Sequence, residues 1–122
     1  MAQRALVLFG HGARDPKWAE PFLHLQGIIQ AQSQGVTVAL AFLELMSPRL
    51  SELVAQLVRD GCAEITVVPV FFGQGGHVLR DLPMMIEQLR QAHPGLALKV
   101  AQAVGEDTEV LNAIARYCIG AL

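Results

Sequence analysis

The chain carries little charge, few cysteines and no long apolar run. Lys, Arg, Asp and Glu make up only 16% of its 122 residues, and the net charge is −2. That balance argues against a nucleic-acid partner, which would call for a basic stripe. No apolar stretch approaches the ~20 residues of a membrane-spanning helix, so no membrane segment is expected. Met1-Ala2-Gln3-Arg4 leads directly into the first apolar segment and leaves no room for a signal peptide. A cytoplasmic location follows as the expectation. Cys62 and Cys118 are isolated, without C-x-x-C spacing. They read as small buried residues rather than as a disulfide or a thiolate metal site. There is no low-complexity segment, linker or repeat, and the length suits a single domain over 1–122.

Apolar residues, by contrast, are abundant at 52%. A small chain has much surface for its volume, so part of this apolar content is expected to be covered by a partner, and self-association is the expectation. Strand-like and helix-like segments alternate. Strands are expected at 5–9, 36–45, 65–72 and 96–104. Helices are expected over 17 to 34, from Pro48 until Gly61 stops it, over 77 to 92, and from an Asp107 N-cap to about 119. Pro21 is tolerable only in a first turn, and Pro83 is expected to mark where the regular part of the third helix begins. Four βα units with apolar strands give a flavodoxin-like three-layer α/β sandwich. Its four-stranded parallel sheet, in order 2-1-3-4, has helices on both faces.

Ligands of such sheets bind beyond the carboxyl ends of the strands. There the sequence places His11, between Gly10 and Gly12, after strand one. Glu44 ends strand two, and His77 follows Gly73-Gln74-Gly75-Gly76 after strand three. Flanking glycines let a flat ligand or a metal approach the backbone. A helix N-terminus disfavours an imidazolium at His77, which keeps the ring neutral and able to bind metal or accept a proton. The carboxylate of Glu44, on an otherwise apolar strand, needs a partner or solvent. His24, on a helix, and His93, at a helix end, carry no assigned role. Two imidazoles and a carboxylate suit a divalent ion such as cobalt, iron, nickel or zinc, although no compact signature such as H-E-x-x-H is present. Arg14, Lys17, Arg49 and Arg80 fall near the same mouth and could form a positive rim for a polycarboxylate ligand. A phosphohistidine phosphatase would have arginine directly before the His-Gly pair, where this chain has Gly10. A phosphate-binding hydrolase would put Ser, Thr or Lys in the Gly73–Gly76 loop, which has none.

Gly10-His11-Gly12-Ala13-Arg14-Asp15-Pro16 resembles the opening motif of the class II tetrapyrrole chelatases. Phe42-Leu43-Glu44 with Pro48 resembles their second motif. Val68-Pro69-Val70-Phe71-Phe72, Gly76-His77-Val78 and Asp81-Leu82-Pro83 resemble their third. The likeness runs over most of the chain, to Gly105-Glu106-Asp107, and is nearest to the small sirohydrochlorin cobaltochelatases of cobalamin synthesis. It implies ATP-independent insertion of Co²⁺ into sirohydrochlorin, with Fe²⁺ or Ni²⁺ as alternative metals and no further cofactor. It implies that His11 and His77 hold the metal, that His11 takes pyrrole protons, and that Glu44 assists as ligand or proton route. The macrocycle would lie along Phe72, Gly73, Gln74, Gly75 and Gly76, with its carboxylates near Arg14, Arg49 and Arg80. Longer relatives carry two such domains, so two copies of this chain should pair to make the cleft. Ala13 departs from the serine common in relatives and removes a hydroxyl contact. A module that binds metal or tetrapyrrole without turnover is the competing reading.

Overall fold

The computed structural model describes residues 3–73 and 75–122, with the side-chain surroundings at 76, 77 and 79 outside the description. The chain runs β1 (Gln3–Gly10), a 3-10 turn (Pro16–Ala19), α1 (Glu20–Gln32), β2 (Val36–Phe42), α2 (Leu50–Arg59) and β3 (Cys62–Pro69). It continues as α3 (Gly76–Ala92), β4 (Ala97–Val100), a 3-10 turn (Val104–Glu106) and α4 (Thr108–Gly120). The strands form one parallel sheet in the order β2-β1-β3-β4. This is the expected flavodoxin-like topology. Among the described residues no helix is long and apolar enough to cross a membrane.

Several boundaries differ from the sequence expectation, for identifiable reasons. The first helix begins at Glu20 rather than Lys17, because Asp15 caps a separate 3-10 turn by accepting the Lys17 N–H at 3.0 Å. Pro21 then falls in the first turn of α1, where its missing N–H costs nothing. α2 begins at Leu50, after Pro48, and the Arg49 N–H is satisfied by Glu52 Oε1 at 2.8 Å. β2, β3 and β4 each stop short of the apolar run that announced them, and β3 also starts earlier, at Cys62. The runs continue because the chain stays hydrogen-bonded to its neighbour past each strand end. Glu44 N–H donates to the His11 carbonyl at 3.1 Å, Val70 N–H to that of Phe9 at 2.8 Å, and Ala101 N–H to that of Val67 at 2.9 Å. Pro83 lies inside α3 rather than at its start. The helix survives the lost hydrogen bond because Val78, Leu82, Ile86 and Leu89 form a buried row along it.

The two sheet faces are covered differently. Ala5, Val7 and Phe9 of β1 point with Ile65 and Val67 into one core, closed by Leu50, Val54 and Leu57 of α2 and by the buried row of α3. On the other face, Trp18, Phe22 and Phe42 stack near Gly10, with the Trp18 and Phe22 centroids 4.7 Å apart. There α1 lies along β2. Gln26 Nε2 donates to the Val38 carbonyl at 2.7 Å, Gln30 Nε2 donates to that of Val36 at 2.8 Å, and Val38 N–H donates to Gln30 Oε1 at 3.1 Å. These side chains satisfy the backbone of an edge strand that would otherwise invite pairing. Neither α1 nor α4 has a buried residue.

Candidate active site

The ladder extensions beyond the strands build the site. β1 ends at Gly10, and the chain turns at Gly12 with φ +98°, a left-handed conformation that suits glycine. A Cβ at Gly12 would overlap the Glu44 carbonyl oxygen, and one at Gly10 would stand 3.0 Å from the Phe22 ring. The two glycines beside His11 are therefore required from inside the protein. Gly12 lets the loops after β1 and β2 touch, and Gly10 makes room for an aromatic ring. The sequence argument had assigned them to ligand access, and the structure corrects that reason. Gly105 plays the same part on the other side. Its N–H donates to the Phe71 carbonyl at 2.9 Å, and a Cβ there would overlap the Phe72 backbone.

Held in this way, His11 Nε2 lies 3.2 Å from Glu44 Oε1, and each side chain is 47% exposed. The pair is open to ligand and solvent on one side. Phe71 backs the imidazole edge-on, with centroids 6.2 Å apart at 70°. Leu45, next to Glu44, is exposed and holds φ +68°, an uncommon conformation for a branched residue, and such conformations concentrate at functional sites. Phe72 presents its ring to solvent at 71% exposure.

Of the expected residues, the structure brings His11 and Glu44 into contact. The imidazole of His77 lies outside the described residues, as does Gln74, although the backbone places position 77 in the first turn of α3. Gly73 and Gly75 have open space where a side chain would be. Arg14 follows β1, Arg49 caps α2 and Arg80 lies early in α3. All three are exposed and belong to segments that leave the carboxyl ends of the strands. Among the described residues no three His, Cys, Asp or Glu side chains cluster tightly enough to hold a metal. His24 is exposed, and His93 ends α3 with its N–H bonded to Leu89. Cys62 is buried, as expected. Its thiol is pushed up from the ordinary range by burial, against the lowering hydrogen bond to Glu64. Cys118 is exposed, contrary to expectation, because α4 stands clear of the sheet.

Sequence reasoning missed Phe71 and Gly105 as parts of the site. Phe71 was hidden within a strand-like run. Gly105 stood in a turn motif whose long-range contact has no local signal.

The CbiX family pattern matches residues 5–119. A sirohydrochlorin cobaltochelatase of Methanopyrus kandleri is 35% identical over 82 residues, 67% of this chain and 57% of that protein. A sirohydrochlorin ferrochelatase of Bacillus subtilis (strain 168) is 27% identical over 113 residues, 92% of this chain and 43% of that protein. The chain thus spans about half the length of these two relatives. A solved CbiX protein from Marinobacter aquaeolei VT8, ascribed to cobalamin (vitamin B12) biosynthesis, superposes with a TM-score of 0.84. It is 30% identical, and the match covers 97% of this chain and 96% of that one. With the pattern matched from the first strand to the last helix, the chain belongs to the CbiX family.

Proposed function

We propose that this chain inserts Co²⁺ into sirohydrochlorin without ATP, the metal being a substrate and no further cofactor being used. The observation that carries the reading is the His11–Glu44 pair at the carboxyl edge of a CbiX-family sheet. Insertion requires a base for two pyrrole protons and ligands that hold the ion loosely enough to release it to four ring nitrogens. A neutral imidazole serves as both ligand and base. Its Nε2 faces the carboxylate, so a neutral ring carries its proton there and keeps its lone pair on Nδ1. Glu44 fixes that tautomer and stabilises the imidazolium once a proton is taken. His77 is the second ligand. Phe72 and the Gly73–Gly76 loop lie along the macrocycle, and Arg14, Arg49 and Arg80 meet its carboxylates. The half-open pair fits a cleft completed by a second copy, in a cytoplasmic homodimer.

The test is an absorbance assay of sirohydrochlorin with Co²⁺, Fe²⁺ or Ni²⁺ and wild-type, His11→Ala or His77→Ala protein. The expected result is fastest turnover with Co²⁺ and a loss of at least about a hundredfold in both variants, which remain folded. Wild-type protein that binds sirohydrochlorin without turnover would make it a binding module. Fastest turnover with Fe²⁺ would make it a ferrochelatase, the activity named for the Bacillus relative.

A further inference from the structure

Leu45 is the exception among the positive-φ residues. Gly12, Gly35 and Gly61 hold φ +98°, +80° and +96°, where the missing Cβ removes the penalty. Leu45 holds φ +68° with a full branched side chain, and among the described residues no other non-glycine does so. Glycine or asparagine would take this backbone with less strain. The side chain of Leu45 therefore has to offset what its backbone costs. Burial in the fold does not supply the offset, because Leu45 is 54% exposed and stands outside the closed core. The gain lies with something that arrives from outside.

The neighbours of Leu45 indicate what arrives. Glu44, the residue before it, donates its N–H to the His11 carbonyl at 3.1 Å and meets the His11 ring at 3.2 Å. Beyond β1, the chain after β3 presents Phe72, 71% exposed, next to the point where Gly105 N–H bonds the Phe71 carbonyl. In the order β2-β1-β3, Leu45 and Phe72 thus follow the strands on either side of the one that leads into His11. Strands two places apart in a sheet lie about 10 Å from each other. Two exposed apolar side chains at that spacing, with the His11–Glu44 pair between them, suit a broad, flat, conjugated ring better than a small polar anion.

We infer that Leu45 is a substrate-binding residue. Its side chain packs against the tetrapyrrole ring on the β2 side of His11, opposite Phe72, and so holds the ring at the His11–Glu44 pair. The inference rests on the chelatase reading for the identity of the ring.

The test is a fluorescence titration of the full-length chain with metal-free sirohydrochlorin, beside chemical denaturation. Leu45→Gly and Leu45→Asn suit the left-handed backbone and remove the apolar group, whereas Leu45→Met keeps an apolar chain. The glycine and asparagine variants are expected to bind at least about tenfold more weakly than wild type, and the methionine variant within about threefold of it. The loss should be the same at low and high salt, because an apolar contact is not screened. The denaturation midpoint of Leu45→Gly should be no lower than that of the wild type. Leu45→Gly protein that binds as tightly as wild type would overturn the inference. A lowered midpoint would also overturn it, by making the side chain a support of the fold, as would a loss that disappears at high salt. Wild-type protein that binds no sirohydrochlorin would overturn the chelatase reading and the inference together. Wild type that binds and metallates it, beside a glycine variant that binds equally well, ends the inference and spares that reading.

Discussion

One face of the sheet is finished and the other is not. Beneath α2 and α3, Val7, Phe9, Leu50, Val54 and Val67 are wholly inaccessible and form a closed core. Across the sheet, α1 and α4 bury no residue, and a groove lies open over β1, β3 and β4. The same strands supply both faces, so the difference lies in which helices return to pack. The finished face fixes where the strands end and hence where His11 and Glu44 meet.

Substitutions that tell the two faces apart are ordered here from the largest expected effect. Leu50→Ala, in the closed core, should cost about 2–5 kcal/mol in chemical denaturation, through lost burial and the cavity left behind. Gly12→Ala joins the faces at the site. It should cost more than about 1 kcal/mol, because alanine is strained at φ +98° and its Cβ meets the Glu44 carbonyl. Leu23→Ala, on the open face, should change stability by no more than about 0.5 kcal/mol. A loss matching that of Leu50→Ala would erase the contrast. The thiols sharpen it further. Cys62 should resist alkylation until the pH is well above the ordinary thiol range, because burial holds its thiol protonated. Cys118, which is exposed, should be labelled well before Cys62 in the folded protein. Equal labelling of the two thiols would contradict the burial of Cys62.

Periodicity and βα alternation were enough to read the strand order, the Asp107 cap and the placement of His11 and Glu44 at adjacent strand ends. Those features follow from local pattern and right-handed crossovers. The work of Gly12 and Gly105 was not legible, because both glycines serve contacts with segments distant in sequence. Pro83 misled because buried neighbours on α3 outweigh a missing N–H. The exposure of Cys118 was hidden for a related reason. The apolar spacing of α4 is the same whether or not the helix packs on the sheet.

The central claim is that His11 and Glu44 act as one unit in metal insertion. The direct measurement is the rate of Co²⁺ insertion into sirohydrochlorin by wild type, His11→Ala, Glu44→Gln and the double variant. The account predicts that each single change removes most of the rate and that the double variant is little slower than His11→Ala alone. Insertion at the wild-type rate by His11→Ala, or single losses that simply multiply in the double variant, would contradict it.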